Sequence, residues 1–255
     1  MMGLDVFEPF RLDGRTAIVT GASSGLGARF AQVLAGAGAL VVVAARRADR
    51  IEALAKELDG FAVPCDVVDG DDRERLVATT LERFGRIDVL VNNAGVGTPQ
   101  AAESETPERF AEVVDVNLTA AFAMSQLVGR TMLEAGRGSI VNVVSILGIV
   151  SAGQIPFPSY SASKGGMIAL TRELAGQWSR RGVRVNALAP GWFETEMTAD
   201  MFADERSMAW VRRKAPMGRP GQPHELDGGL LFLASDASSY VTGQVLAVDG
   251  GWTAV

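Results

Sequence analysis

Short apolar runs and longer stretches with apolar residues at helical spacing alternate along the chain. The run TAIVT at 16–20 has the length of a strand, and apolar residues then recur at three- and four-residue intervals from Leu26 to Ala37. The same alternation continues and predicts about seven strands, at 16–20, 40–44, 61–64, 89–92, 139–144, 183–189 and 245–249. Helices are predicted at 26–37, 51–58, 76–84, 106–134, 159–181 and 225–233.

The predicted strands are apolar on both faces and are separated by helices. This pattern is typical of a parallel sheet covered on two sides, which is the doubly wound α/β arrangement. No repeat, linker or change of composition divides the chain, so we expect one domain over 1–255. The least regular region, 191–222, is rich in Met, Trp and Arg, and we expect it to form a substrate lid.

Composition and charge narrow the class of protein. With 47% hydrophobic and 21% charged residues, the chain has the composition of a soluble globular protein. A formal charge of −6 leaves no basic field for a nucleic acid. The uncharged stretch 138–163 contains too many polar residues and prolines for a membrane span. The one cysteine, Cys65, and an N-terminal segment without the pattern of a signal peptide favour a cytoplasmic location.

A glycine-rich loop follows the first predicted strand directly. In TGASSGLG at 20–27, Gly21 allows a tight turn, Gly25 lets the backbone approach a pyrophosphate, and Gly27 permits close packing of the helix. The N-terminus of the helix adds free N–H groups and a positive dipole end. The position therefore indicates a dinucleotide site, although the same loop without a ligand is a tight strand-to-helix turn.

The end of the second predicted strand indicates which dinucleotide is preferred. A carboxylate at this place favours a free ribose 2′-hydroxyl, whereas Arg46 and Arg47 stand here with no acid beside them. Since a guanidinium matches phosphate in charge and geometry, NADP(H) is predicted over NAD(H). The alternative is that both arginines only solvate the start of a helix. Asp66, after the third strand, is expected either to accept a hydrogen bond from adenine or to cap the next connection.

Tyr160 and Lys164 are four residues apart and lie on one face of a predicted helix. A nearby ammonium stabilises a phenolate, so it would bring the tyrosine pKa closer to the range useful for acid–base chemistry. By itself, the pair is equally compatible with a contact on the surface.

The motifs occur in an order that resembles the short-chain dehydrogenase/reductase family over almost the whole chain. They are TGxxxGxG at 20–27, NNAG at 92–95, Asn117, Ser145, YxxxK at 160–164 and PGxxxT at 190–195. The resemblance implies a Rossmann-type fold, a nicotinamide cofactor and an oxidoreductase acting on CH–OH groups. It also implies a catalytic tetrad of Asn117, Ser145, Tyr160 and Lys164.

The resemblance assigns a role to each catalytic residue. Tyr160 donates a proton to the carbonyl oxygen as hydride arrives, or accepts the alcohol proton in the reverse reaction, and Ser145 binds the same oxygen. Lys164 lowers the tyrosine pKa and holds the nicotinamide ribose, and Asn117 anchors a water chain that resupplies the proton. The cofactor contacts implied are Gly21, Ser23, Ser24, Gly25, Leu26, Gly27, Arg46, Arg47, Asp66, Val67, Asn93, Ala94, Gly95, Tyr160, Lys164, Pro190, Gly191, Phe193 and Thr195.

One spacing departs from the family pattern. Ser145 and Tyr160 are 15 residues apart, about two more than is common in the family, so we expect a reshaped substrate pocket with catalysis intact. A hydrolase triad at Ser145 would need an imidazole beside it, and the only histidine, His224, lies at the start of a late helix. A lone histidine also predicts no metal site.

The resemblance implies a small carbonyl compound or alcohol as the substrate, and three kinds remain open. An apolar ketone fits the predicted pocket wall, which alternatively packs the lid onto the core. A sugar acid fits the gluconate 5-dehydrogenase-like segments PGWFETEMT and VDGGW, with Arg206, Arg212 or Arg213 binding the carboxylate. Reduction of a 3-oxoacyl thioester is the third kind. The predicted wall comprises Leu147, Gln154, Ile155, Phe157, Trp192, Met197, Met201, Phe202 and Trp210.

Two further expectations concern assembly and the class of function. Similar proteins often form tetramers through the segments equivalent to 106–134, 159–181 and 245–249, so we expect a homotetramer. A dinucleotide sensor without catalysis is the alternative class of function. Tyr160 beside Lys164 favours the enzyme, because a binding protein needs no proton donor.

Overall fold

A computed structural model describes residues 5–153 and 155–255 and contains a seven-stranded parallel sheet. Each strand begins and ends within one residue of its predicted bounds, because short apolar runs between helical segments mark the strands of such a sheet. The strand order is β3-β2-β1-β4-β5-β6-β7, which confirms the doubly wound α/β class. The strands are β1 (Thr16–Thr20), β2 (Leu40–Ala45), β3 (Phe61–Pro64), β4 (Val89–Asn92), β5 (Gly138–Val143), β6 (Val183–Pro190) and β7 (Val245–Val248).

The α-helices lie between the strands. The predicted segment 106–134 forms two α-helices joined by a π-helical turn, Asp115–Thr119, in which Asn117 lies. In the part of the chain that the structure describes, the α-helices are α1 (Gly25–Gly36), α2 (Ala48–Glu57), α3 (Gly70–Phe84), α4 (Pro107–Val114), α5 (Ala120–Ala135), α6 (Pro158–Trp178), α7 (Ala199–Ala203), α8 (Glu205–Lys214) and α9 (Asp227–Ala234). None of these described helices has the length and hydropathy needed to cross a membrane.

The core lies on both faces of the sheet. Ile18, Val42 and Leu90 lie side by side on β1, β2 and β4 and share a cluster with residues of α3, α5 and α6. The next residue of β1, Val19, belongs to the opposite cluster, which contains residues of α1, α2 and α9. Successive side chains of a strand point to opposite faces, so helices cover both faces of the central strands, whereas the edge strands β3 and β7 are only partly buried.

The direction of winding changes at β1, which pairs with β2 on one side and with β4 on the other. In an open α/β sheet, the connections on either side of such a switch leave a crevice at the carboxyl ends of the strands. The glycine-rich loop after β1 and the NNAG motif at the end of β4 meet at this crevice.

The region 191–222 contains the short helices α7 and α8 and returns to its starting point. Phe193 and Gly221 form an isolated parallel bridge, and Gly221 N donates to Trp192 O at 2.9 Å. The region is therefore a loop closed at its base beside the carboxyl end of β6.

Candidate active site

A cavity of about 520 Å³ occupies the carboxyl ends of the strands. Every residue predicted to contact the cofactor lines this cavity, and so does Ser145. The structure thus brings the glycine-rich loop, the two arginines, the NNAG motif and the YxxxK motif to one cavity, while each residue's role stays a prediction. The lining residues that were not predicted are Ala45, Cys65, Val96, Val116, Val143, Val144, Glu196 and Thr198, whereas Met197 was predicted as pocket wall.

Close packing explains why glycine stands at two positions of the loop, 21 and 27. Gly21 has a φ of 66°, and a Cβ on it would lie 2.7 Å from Ala94 Cα. A Cβ on Gly27 would lie 2.3 Å from Gly21 O. Asn93 Nδ2 donates to Thr20 O at 3.0 Å and so fastens the loop to the end of β4. Larger side chains would push the loop out of this position.

The same loop fits the anionic part of a dinucleotide. Gly25 begins α1, so the free N–H groups and the positive dipole end of this helix face the cavity. Ser23 and Ser24 add hydroxyl groups, and Arg46 and Arg47 add positive charge at the end of β2. Residues of this chemistry fit the phosphates of a nicotinamide dinucleotide.

Lys164 is buried at the opposite end of the cavity. Its side chain is 3% exposed, and Nζ donates to Val143 O at 2.8 Å. Nζ also lies 5.6 Å from the centre of the Tyr160 ring. Burial lowers the pKa of Lys164 to about 8, because removal from water disfavours the charged form.

The pKa of Tyr160 moves in the direction opposite to the one expected from the YxxxK spacing. Burial of the phenol raises this pKa, and a hydrogen bond with the Ser145 side chain opposes the rise. Lys164 contributes no lowering, since its ammonium binds the backbone of β5 rather than the phenol oxygen. Tyr160 is therefore a neutral phenol at neutral pH and carries the proton that a general acid donates.

Two polar residues, Ser145 and Asn117, lie close to Tyr160 and Lys164. Ser145 follows β5, is 8% exposed, and accepts a hydrogen bond from Leu147 N at 3.1 Å. Asn117 is fully buried and lies behind the cavity wall: its Oδ1 accepts from Val96 N at 2.8 Å, and its Nδ2 donates to Ser163 Oγ at 3.1 Å. Asn117 therefore ties the loop after β4 to helix α6.

Charged side chains line the end of the cavity beside β2, which is named the adenosine end below because the sequence predicts the adenosine part of the cofactor there. Arg46 is exposed, and its Nη1 lies 4.0 Å from Asp66 Oδ2. Arg47 donates to Ser23 Oγ at 2.8 Å, to Ser24 Oγ at 2.7 Å, and to Glu196 Oε2 at 3.0 Å. Sequence reasoning missed Glu196, because it lies 149 positions from Arg47 and no motif connects the two.

The predicted pocket wall divides into two sets. Trp192 and Trp210 pack edge to face against Trp252, with ring centres between 5.0 and 5.7 Å apart in this cluster, so they join the region 191–222 to the C-terminal segment. Met197 lines the cavity and is 47% exposed. Gln154 lies outside the described residues. The remaining wall residues are buried or half-buried beside the cluster or on α7: Leu147, Ile155, Phe157, Met201 and Phe202.

The arginines predicted to bind the carboxylate of a sugar acid lie outside the cavity. Arg206, Arg212 and Arg213 are exposed on α8, Arg212 pairs with Glu205, and none of the three lines the cavity. His224 is exposed in a short 3₁₀ turn before α9, the place predicted from the sequence.

Comparison with known proteins establishes the class. A family model described as "Enoyl-(Acyl carrier protein) reductase" matches residues 21–253. The chain belongs to the short-chain dehydrogenase/reductase family, as the motifs predicted, and is an NAD(P)-dependent oxidoreductase acting on CH–OH groups.

Individual relatives cover nearly the whole chain. Gluconate 5-dehydrogenase of Gluconobacter oxydans is 40% identical over 96% of this chain and 96% of its own. The 3-oxoacyl-[acyl-carrier-protein] reductase FabG of Thermotoga maritima is 40% identical over 94% of this chain and 98% of its own. The crystal structure of a gluconate 5-dehydrogenase from Burkholderia cenocepacia, in complex with NADP and tartrate, has a TM-score of 0.94 at 35% identity. The match covers 98% of this chain and 100% of that one.

Proposed function

We propose that the protein interconverts a ketone and a secondary alcohol, with Tyr160 as the proton donor and acceptor. The observation that carries the proposal is that Tyr160, Ser145 and Lys164 meet in the cavity that the glycine-rich loop also lines. A bound nicotinamide supplies or accepts the hydride in such chemistry, and the protein supplies alignment and the proton.

Each side chain has one task in this proposal. Ser145 orients the substrate oxygen by a hydrogen bond, and neutral Tyr160 donates its proton to that oxygen in the direction of reduction. Lys164 carries positive charge below about pH 8 at 5.6 Å from the Tyr160 ring centre, and the task assigned to it from the resemblance, holding the nicotinamide ribose, stays a prediction. Asn117 positions the loop after β4 against α6, and the water chain assigned to it from the resemblance stays a prediction.

NADP(H) is the cofactor that the adenosine end supports best. Arg46 and Arg47 lie at the end of β2, where no carboxylate follows the strand directly. A guanidinium binds a ribose 2′-phosphate through charge and paired hydrogen bonds. The related gluconate 5-dehydrogenase of known structure has NADP bound, which supports the same preference.

The substrate proposed is a small ketone or secondary alcohol with an apolar part. At the end near Tyr160, the cavity is lined by Val96 and Val144, and Lys164 is the one lysine or arginine of the described lining residues at this end. A carboxylate would lack an obvious partner there. The sugar-acid alternative is supported by the relatives named gluconate 5-dehydrogenase, and the thioester alternative by the relative named 3-oxoacyl reductase.

The test is the oxidation of NADPH and of NADH by the purified protein, followed by absorbance. The panel contains apolar ketones, 5-ketogluconate and 3-oxoacyl thioesters. We expect turnover with an apolar ketone and a higher kcat/KM with NADPH than with NADH. Turnover with 5-ketogluconate alone would replace the substrate proposal, and tight NADPH binding without any turnover would favour a dinucleotide sensor.

We also propose that the protein is a cytoplasmic homotetramer. Phe110 on α4 and Phe122 on α5 are 39% and 40% exposed, and exposed apolar side chains on neighbouring helices are typical of contact surfaces. A lone cysteine supports a reducing compartment. Sedimentation equilibrium at micromolar concentration should give the mass of four chains, and a monomer would refute the assembly.

The region 191–222 is proposed as the lid of the single domain. Its part from Phe193 to Thr198 borders the cavity, and its base is closed by the Phe193–Gly221 bridge. Limited proteolysis within 191–222 should slow when NADPH and substrate are added. Cleavage at an unchanged rate would show that this region does not close.

A further inference from the structure

The Glu196 carboxylate lies in a cluster of cationic and hydroxyl groups at the adenosine end of the cavity. Ser24 Oγ donates to Glu196 Oε2 at 2.8 Å, and both terminal nitrogens of Arg47 lie 3.0 Å from the same oxygen. Arg50 Nη1 donates to Oε1 at 2.5 Å. Ser23, Ser24, Arg47 and Arg50 thus form an anion-binding cluster that holds a carboxylate from the chain itself.

This cluster lies where doubly wound folds bind the adenosine ribose, and therefore the 2′-phosphate of NADP(H). Arg47 is the residue that precedes α2, directly beyond the end of β2, and that place faces the adenosine ribose in doubly wound folds. Ser23 and Ser24 belong to the glycine-rich loop, and Arg47 donates to both hydroxyls. Carboxylate and phosphate oxygens are the two anionic acceptors that a guanidinium binds through paired hydrogen bonds.

Glu196 reaches this cluster from the far side of the cavity. It follows Thr195, beyond the end of β6, and the position of a Cβ on Gly25 is 3.5 Å from Thr195 Cβ. The segment at 195–196 therefore runs beside the glycine-rich loop, and its carboxylate extends onto Arg47. A 2′-phosphate on Arg47 and the Glu196 carboxylate on Arg47 compete for the same donors.

We propose that Glu196 is a residue that sets cofactor selectivity, because its carboxylate exchanges with the 2′-phosphate of NADP(H) on Arg47. The inference rests on the proposed use of NADP(H). Glu196 weakens the binding of the phosphorylated cofactor by the free energy of its own contacts, and it leaves a cofactor without the phosphate almost unaffected. The release of Glu196 also frees the segment at 195–196, at the start of the proposed lid.

The free energy of this exchange is small, because the contacts that Glu196 makes with Arg47 and Arg50 are exposed to water. The side chains of Glu196, Arg47 and Arg50 are 54%, 40% and 47% exposed. Exposed ion pairs of this kind contribute little one at a time, and several that share one carboxylate add up to a modest effect. We therefore expect the loss of the Glu196 charge to change affinity by about three- to tenfold.

The test uses isothermal titration calorimetry of the full chain with adenosine 2′,5′-bisphosphate and with adenosine 5′-monophosphate. The variants are Glu196→Gln and, as a matched control, Glu194→Gln. Glu194 is exposed in the same segment and makes no hydrogen bond or ion pair with the described residues, so its variant loses the same charge without the contacts. In E196Q, the bisphosphate should bind about three- to tenfold more tightly, with the monophosphate changed by less than about twofold. E194Q should bind both ligands like the wild type.

Three results would overturn the exchange: unchanged affinities in E196Q, equal tightening of both ligands, or the same tightening in E194Q. Arg47→Gln separates the exchange from the NADP(H) proposal on which it rests. If R47Q weakens the bisphosphate selectively while E196Q has no effect, phosphate reading stands and the exchange fails. If R47Q binds the bisphosphate like the wild type, Arg47 does not read the phosphate, and both proposals fail at this residue.

Discussion

The two ends of the cavity are built by opposite means. At the end that holds Tyr160, Lys164 is 3% exposed and its ammonium donates to a backbone oxygen. At the adenosine end, the Arg46 side chain is 73% exposed, and Arg47 pairs with the Glu196 carboxylate at the surface. Buried polar groups with neutral partners are fixed in place, whereas exposed ion pairs are weak and exchange easily.

We interpret this difference as a division of tasks between the two ends. Proton transfer needs atoms held at fixed distances, and the residues proposed to take part in it, half-buried Tyr160 and buried Lys164, both carry shifted pKa values. Choosing between two cofactors needs only a difference in affinity, which exposed arginines supply at small cost to stability. We therefore expect changes near Tyr160 to alter turnover and changes near Arg47 to alter affinity.

The largest effect is expected for Tyr160→Phe. Removing the phenol hydroxyl removes the proposed proton donor, and turnover should fall by about 10²-fold or more, the range typical of a general acid. The chain has one other tyrosine, Tyr240, which is fully exposed, so Tyr240→Phe is the matched control and should keep wild-type turnover. Steady-state kcat with saturating NADPH measures both. A Y160F enzyme as fast as Y240F would show that another group supplies the proton.

The buried lysine should leave a signature in the pH dependence of stability. Burial lowers the folded pKa of Lys164 to about 8 from 10.5, so the unfolded chain binds more protons between these pH values. The free energy of unfolding should therefore rise with pH across this window, by at most roughly 3 kcal/mol, relative to Lys164→Met. Urea unfolding of both proteins at several pH values measures the difference, in which all other titrating groups cancel. Parallel curves would mean that Lys164 keeps its ordinary pKa.

A smaller effect is expected at the adenosine end. Arg47→Gln should raise the Kd of NADPH by about tenfold, the loss expected from one charge-assisted contact, with little change for NADH. Arg46→Gln tests the other arginine, whose guanidinium lies near Asp66 and makes no contact with Glu196. Fluorescence titration with each cofactor measures the ratio of Kd values. If neither arginine changes this ratio, the phosphate is bound elsewhere.

The smallest effect is expected at an ion pair remote from the cavity. Arg15 binds Asp236 on the surface, with side chains that are 28% and 59% exposed. Asp236→Asn should lower the free energy of unfolding by less than about 1 kcal/mol, and by less again at high salt. A loss of several kcal/mol in urea unfolding would show that exposed ion pairs in this protein are not weak.

The sequence predicted what depends on local pattern. Strands such as 16–20 and 89–92 were predicted at their observed bounds, because a short apolar run of this kind is a central strand that is buried on both faces of the sheet. Tyr160 and Lys164 were found because their spacing on one helix is fixed by helix geometry.

The remainder depends on contacts between distant parts of the chain. Glu196 meets Arg47 across 149 positions, and both side chains are exposed, so neither periodicity nor burial marks the pair. Trp252 packs on Trp192 and Trp210, which turns predicted pocket residues into core. The Tyr160 pKa was expected to fall because of Lys164, but burial dominates once the helix packs against the sheet.

The proposed division of tasks is that the buried end performs the chemistry and the exposed end selects the cofactor. It is tested most directly by titrating NADPH and NADH into Y160F and R47Q and measuring the four Kd values beside the wild-type pair. We expect wild-type values for Y160F and, for R47Q, a weaker Kd for NADPH alone. A Y160F protein that loses its preference for NADPH, or an R47Q protein that keeps it, would contradict the division of tasks between the two ends.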